Sequence, residues 1–280
     1  MNAPSPFSLP AGACDTHSHI YGDPSRYQIL RGHRLDPQSE IADYLRVAEP
    51  LGLERLVLVQ PKAYGGNFAC MLDTIARLGV ARARGVIMPD ETLTKSDLER
   101  LDLAGVRGIR FLFPDDAPID TSAIRRTAVQ IAAQGWSLLV QGGGLALASS
   151  VDALLEMPCP VVIDHLGRLP GHYSTESHAF QALLKFVRRG GWLKLAAPYY
   201  STPHGEADFR MVESRVHALL DEGPERIIWG MNWPHPNFLP AQKPDDARAL
   251  QSFLSVLRSP SERSAVFVQN PARLYGFPES

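Results

Sequence analysis

Eight short, almost unbroken apolar runs recur along the chain, and a helical pattern follows nearly every one. The runs fall at residues 13–20, 55–60, 84–88, 108–113, 137–141, 161–165, 192–196 and 226–230. Cores such as LVLV, GVIM, SLLV and RIIW lack the polar alternation of a sheet with one wet face. They suit strands covered on both faces, as in a parallel sheet. Between them, helical patterns occupy 41–51, 67–79, 95–104, 122–134, 147–156, 178–189 and 209–221, and another follows the eighth run at 247–258. Thr94 or Ser96 and Asp120 or Thr121 stand where helix starts need a side-chain acceptor. Gly79, Gly105, Gly135 and Gly190 stand where helices should stop. Eight strand–helix repeats in one chain point to an α/β architecture, a (β/α)8 TIM barrel, with residues 1–280 expected to form a single domain.

The competing architecture is a doubly wound open sheet. No GxGxxG follows the first run and no GxxxxGK[ST] occurs anywhere. Gly142-Gly143-Gly144 lacks the Lys and Ser/Thr of a phosphate loop and reads as a tight turn that leaves room for a ligand. A formal net charge of −2 gives no footprint for nucleic acid or for an anionic membrane. The three cysteines, Cys14, Cys70 and Cys159, form no CxxC pair, which argues against a zinc ribbon or a disulfide framework. The opening MNAPSPFSLPAGA lacks the basic and apolar regions of a signal peptide, and no apolar run nears the ~20 residues needed to span a bilayer. The expected location is the cytoplasm.

In such a barrel the active site forms at the C-terminal ends of the strands. That end carries His17 and His19 from the first run, Gln60 and Lys62 from the second, Pro89 and Asp90 from the third, and Arg110 and Phe113 from the fourth. It continues with Gln141, then Asp164 and His165, then 196–200 including Tyr200, and finally Asn232 with His235. His17 and His19 are two apart, so strand alternation sets both imidazoles on one face, able to share a metal or a substrate oxygen. Asp15 shares that face by the same count and is expected to fix a histidine tautomer. Asp164 is expected to alternate away from His165. Cys14 reads as core, and Lys62, Lys194, Tyr21 and Tyr64 as structural or rim groups. Arg110 either grips a substrate carboxylate or pairs with Asp115 or Asp116. His235 either orients Asn232, reaches the substrate, or sits on the rim.

The segments DTHSHIYG, GVRGIRF, VVIDHLGR, WGMNWPHPN and NPARLYG, in register from about residue 11 to 275, resemble the amidohydrolase superfamily (amidohydrolase family 2). Within it, they look most like the branch of 2-pyrone-4,6-dicarboxylate lactonase. The resemblance implies a distorted TIM barrel. Most of the superfamily binds one or two divalent metals through HxH, further histidines, a bridging Lys or Glu, and an aspartate on the eighth strand. This chain keeps His17, His19 and His165 but has Arg110 in place of the bridge, Gln141 for a histidine and Asn232 for the aspartate. Three neutral imidazoles could in principle hold zinc. A nearby guanidinium and the lack of an anionic ligand disfavour it, so no cofactor and no metal are expected, with zinc as the weaker alternative.

The resemblance further implies a metal-independent hydrolase of a lactone-type ester. His17, His19 and His165 would polarise the carbonyl. Arg110, Gln60, Gln141, Tyr200 and His235 would bind the substrate, and Asn232 would stand at the water-activating position. Where the family's dicarboxylate lactonase has further arginines, this chain reads Asp115-Asp116 and Tyr199-Tyr200. A carboxylated lactone with less charge than the pyrone dicarboxylate therefore fits better. Asn232 cannot act as a general base. It reflects an engineered change, natural divergence with the base moved to His19, His165 or His235, or loss of catalysis; Met231 beside it is a second departure and favours divergence. Three other functions stay open: a sugar-acid lactone isomerase, a non-catalytic small-molecule binder, and a metal-dependent hydrolase or decarboxylase.

Overall fold

The computed structural model describes residues 9–33 and 39–278. The first eight residues of the N-terminal segment read above lie outside the described residues. Eight parallel strands form one sheet in sequential order: β1 (Cys14–Ser18), β2 (Arg55–Val59), β3 (Ala83–Ile87), β4 (Val106–Leu112), β5 (Ser137–Gln141), β6 (Val161–Ile163), β7 (Trp192–Ala196) and β8 (Ile227–Gly230). The sheet closes on itself. Ser18 bridges Trp233 in parallel. The His19 amide donates to the Trp233 carbonyl and the Asn232 amide to the His17 carbonyl, each at 2.7 Å. This is the (β/α)8 barrel that the apolar runs predict.

Helices follow the strands: α1 (Ile41–Ala48), α2 (Ala69–Leu78), α3 (Lys95–Leu103), α4 (Thr121–Ile131), α5 (Gly144–Leu155), α6 (His178–Arg188), α7 (Glu213–Glu222) and α8 (Asp246–Val256). Thr94 caps α3 by accepting from the Asp97 amide while the Asp97 carboxylate receives the Thr94 amide, the reciprocal box that fixes a helix start. Asp120 caps α4. The final stretch carries two short helices, α9 (Pro260–Ser264) and α10 (Asn270–Tyr275), which apolar periodicity does not announce. Among the described residues no helix is long and apolar enough to cross a membrane.

Two apolar layers follow from strand alternation. Outward residues such as Leu56, Leu58, Ile109, Val140 and Ile163 pack under the helices. Inward residues Cys14, Val57, Val59, Val86, Leu139, Val162, Trp192 and Ile228 fill the barrel, and Leu274, Tyr275 and Phe277 join them from the C-terminal segment. Arg84 ties that segment in by donating to the Tyr275 carbonyl at 2.9 Å.

One irregularity positions the site. Asp15 pairs with Leu56 but Ser18 pairs with Leu58, so β1 carries one extra residue between them. Such a bulge reverses the alternation beyond it. Asp15 and Ser18 consequently share the outer face, where Ser18 Oγ and Tyr44 Oη both donate to the Asp15 carboxylate. His17 and His19 turn inward together.

Candidate active site

The C-terminal end of the barrel holds a cavity of about 640 Å³, lined among others by His19, Lys62, Arg110, Gln141, His165, Tyr200 and Asn232. His17 lies beneath its floor, fully buried. The His17 ring centroid is 5.0 Å from that of His19 and 4.7 Å from that of His165. The three histidines therefore meet, as the sequence predicts.

They are gathered around a buried carboxylate. On β6 the inward residue after Val162 is Asp164, and His165 would point outward if the strand ran on. Instead His165 takes φ +53°, a left-handed turn that swings its ring back into the mouth of the barrel. Asp164 is thus at the centre of the site, contrary to the expectation that it faces away. Its Oδ1 is 3.3 Å from Lys194 Nζ and 3.4 Å from His17 Nδ1, and its Oδ2 is 3.2 Å from Arg110 Nε. Burial works against the Asp164 charge, but Lys194 and His17 outweigh it and hold the carboxyl well below its ordinary range.

Burial, aided by Arg110, draws His19 down to about 3; burial and Arg110, against the pull of Asp164, bring His165 to about 3. His17 is lowered chiefly by burial as well. All three are neutral imidazoles at neutral pH, and the partners of His19 and His165 set their tautomers. Lys194 Nζ, a pure donor, contacts the Thr16 carbonyl at 3.0 Å and His17 Nδ1 at 3.3 Å. His17 Nδ1 thus lies between a donor, Lys194, and an acceptor, Asp164 Oδ1 at 3.4 Å. Arg110 reaches His165 Nε2 at 3.5 Å, which leaves the proton on His165 Nδ1. His17 Nε2 and His165 Nδ1 are both buried with no hydrogen-bond partner among the described residues. His19 is opposite in sense: its Nδ1 donates to the Val59 carbonyl at 2.8 Å, so Nε2 is a free lone pair.

The chain matches known proteins over nearly its whole length. Residues 14–277 match the amidohydrolase family. The chain belongs to that family. It is 30% identical to a 4-sulfomuconolactone hydrolase of Rhizobium radiobacter, covering 98% of this chain and 93% of that one. It is also 30% identical to a 2-pyrone-4,6-dicarboxylate hydrolase of Comamonas testosteroni, over 96% and 92% of the two chains. A D-galactarolactone isomerase of Agrobacterium fabrum is 31% identical, over 98% and 94%.

Within this amidohydrolase barrel several residues stand elsewhere than the sequence suggests. Arg110 pairs with Asp164, not with Asp115 or Asp116, and also donates to Gln141 Oε1. Asp115 instead pairs with Arg168, whose guanidinium stacks 4.0 Å over the Tyr200 ring. Gln141 and Tyr200 do line the cavity. Gln60 does not, because Val59 is the inward residue of β2 and alternation sends Gln60 out. Its Nε2 braces the following loop through the Asn67 carbonyl at 2.8 Å. Asp15 fixes no imidazole; it accepts from the backbone amides of His17 and Met231, each at 2.9 Å. His235 lies behind the cavity wall, between Tyr199 and Asp246.

The sequence reads Lys194 as a structural or rim group, yet it sits fully buried among the catalytic candidates. The signal for it was present. In WLKLA, counting by two from the inward Trp192 puts the lysine inside the barrel, where an unpaired cation is untenable.

Proposed function

We propose that this protein hydrolyses a lactone, without a metal ion, and that its substrate bears a carboxylate. The observation that carries the reading is a buried, unpartnered imidazole donor in the cavity lining, His165 Nδ1, beside the Arg110 guanidinium. Donors fixed before the substrate arrives stabilise the oxyanion that forms when water adds to an ester carbonyl, typically by several kcal/mol. His19 Nε2 accepts a proton from the adding water. The tetrahedral intermediate then expels the ring oxygen, which takes that proton back, and a hydroxy or keto acid leaves. Arg110 and Lys62 supply positive charge at the cavity for the substrate carboxylate.

Metal independence rests on the donor set. His17, Asp164 and His165 do bring three possible ligand atoms within 4.8 Å of one another, so an anionic ligand is present after all. Lys194 and Arg110, however, already engage the two Asp164 oxygens, and Lys194 also occupies His17 Nδ1. A divalent ion would face two fixed cations and compete for atoms already bound. The cytoplasm is the compartment that best suits three free cysteines.

The test is a panel of carboxylated lactones assayed before and after chelator dialysis, with metal content measured alongside. The expected result is ring opening that survives dialysis, metal well under one equivalent, and a loss of about 10²-fold or more for His165→Ala. Failure to open any lactone, by this chain and by its Asn232→Asp variant, refutes the hydrolase. Stoichiometric metal refutes the mechanism.

A further inference from the structure

Behind the cavity wall four side chains from three segments form a continuous chain of hydrogen bonds. Asn232 Nδ2 donates to Tyr199 Oη at 2.6 Å, Tyr199 Oη lies 3.2 Å from His235 Nδ1, and His235 Nε2 lies 3.0 Å from Asp246 Oδ1 on α8. All but the last are buried. His235 and Asn232 both have positive φ, +59° and +64°, so the loop after β8 is bent to present them.

The far end sets the polarity of the whole chain. An ionised carboxylate only accepts, so the proton of a neutral His235 is on Nε2 and its Nδ1 is a lone pair. Tyr199 has one hydroxyl proton, and Nδ1 takes it. Burial raises the Tyr199 hydroxyl above its ordinary range, which keeps that proton in place. The Tyr199 oxygen is then left to accept from the Asn232 NH2 group, and the Asn232 carbonyl oxygen is turned the other way. There Asn232 and His19 both line the cavity.

We propose that Asp246, His235 and Tyr199 are positioning residues that lock the Asn232 amide with its oxygen toward the cavity, completing a two-acceptor seat for the attacking water. The second acceptor is His19 Nε2, fixed as a lone pair by the Val59 carbonyl. Two converging acceptors suit a ligand that can donate twice. Water has two protons to give, whereas a substrate hydroxyl has one. The seat therefore favours hydrolysis over intramolecular isomerisation. This inference rests on the lactonase reading, and it explains how an asparagine can serve at that position: it orients the water while His19 receives the proton.

The relay can be tested without turnover. In the intact protein, the ring nitrogens of His235 should report a bare Nδ1 and a protonated Nε2 by 15N NMR. The Asn232 side-chain NH2 signals, assigned by their loss in Asn232→Asp, should shift in Tyr199→Phe. A protonated Nδ1, or Asn232 signals unmoved by Tyr199→Phe, overturns the relay.

Kinetics test the seat with a lactone that the intact chain opens. Tyr199→Phe should lower kcat by roughly 10²-fold with little change in KM, as misplacement of a reacting group does. In an Asn232→Asp background the same substitution should cost far less, because a carboxylate has two equivalent oxygens and no amide to orient. An equal loss in both backgrounds would mean mere packing and sink the seat. If no lactone is opened while the NMR results hold, the relay stands, and the lactonase reading and the water seat both fall.

Discussion

At the scale of single residues, the centre of the site is a charge network rather than a set of histidines. Lys194, Arg110 and Asp164 are buried together, two cations against one anion. Desolvating such groups is costly, and the attraction between opposite charges 3.2–3.3 Å apart offsets that cost. Removing one partner exposes that dependence. Lys194→Met should destabilise the protein by about 3–5 kcal/mol, since it leaves the buried Asp164 short of a counter-charge. Adding Asp164→Asn should cost less than the two single changes summed, because both act on one network. Urea midpoints of the two single variants and the double variant measure this; strict additivity would show that Lys194 and Asp164 do not act as a pair.

At the scale of elements, the strands were legible because buried parallel strands leave unbroken apolar runs, and the barrel followed from their number. The His pair, Arg110, Gln141 and Asn232 were legible because they end those runs. What escaped were departures from regular geometry. The extra residue in β1 changes which side chains join His17, so Asp15 and the histidines part company. A positive φ at His165 rather than alternation brings that ring inward and leaves the inner face to Asp164. No residue type marks either event in one sequence. The helices α9 and α10 are too short to show a period.

The junction of β8 with β1 shows how tightly an element can constrain the site. A Cβ on Gly230 would lie 2.7 Å from His17 Cβ and 2.9 Å from the His17 backbone nitrogen. Gly230→Ala must therefore push β8 away from β1 where the Asn232 amide donates to the His17 carbonyl. The expected outcome is a folded but weakened protein whose lactone-opening rate falls by about 10²-fold or more, in keeping with the cost of a 1 Å misplacement. A variant with unchanged kinetics would show that the His17–Asn232 spacing is not critical.

At the scale of the whole molecule, the buried site makes stability depend on pH in a defined direction. His19 and His165 have folded-state values of about 3, against 6.5 for an ordinary histidine, and His17 is lowered too. Between pH 6.5 and 3 the unfolded chain binds protons at these positions that the folded barrel refuses. Stability is therefore fully present above about pH 6.5 and is lost as the pH falls toward 3. Each such histidine contributes a slope of up to about 1.4 kcal/mol per pH unit well below its unfolded value. Asp15, raised by burial, acts with the opposite sign, so a difference between two proteins isolates the histidine effect. His165→Gln removes one titrating ring from the floor of the cavity. Its stability, followed by urea denaturation from pH 7 to pH 4.5, should fall less steeply than that of the unchanged protein, with the curves converging toward acid pH. Parallel curves would mean that His165 accepts a proton readily in the folded state, and the neutral donor assigned to it in the oxyanion site would have to be abandoned.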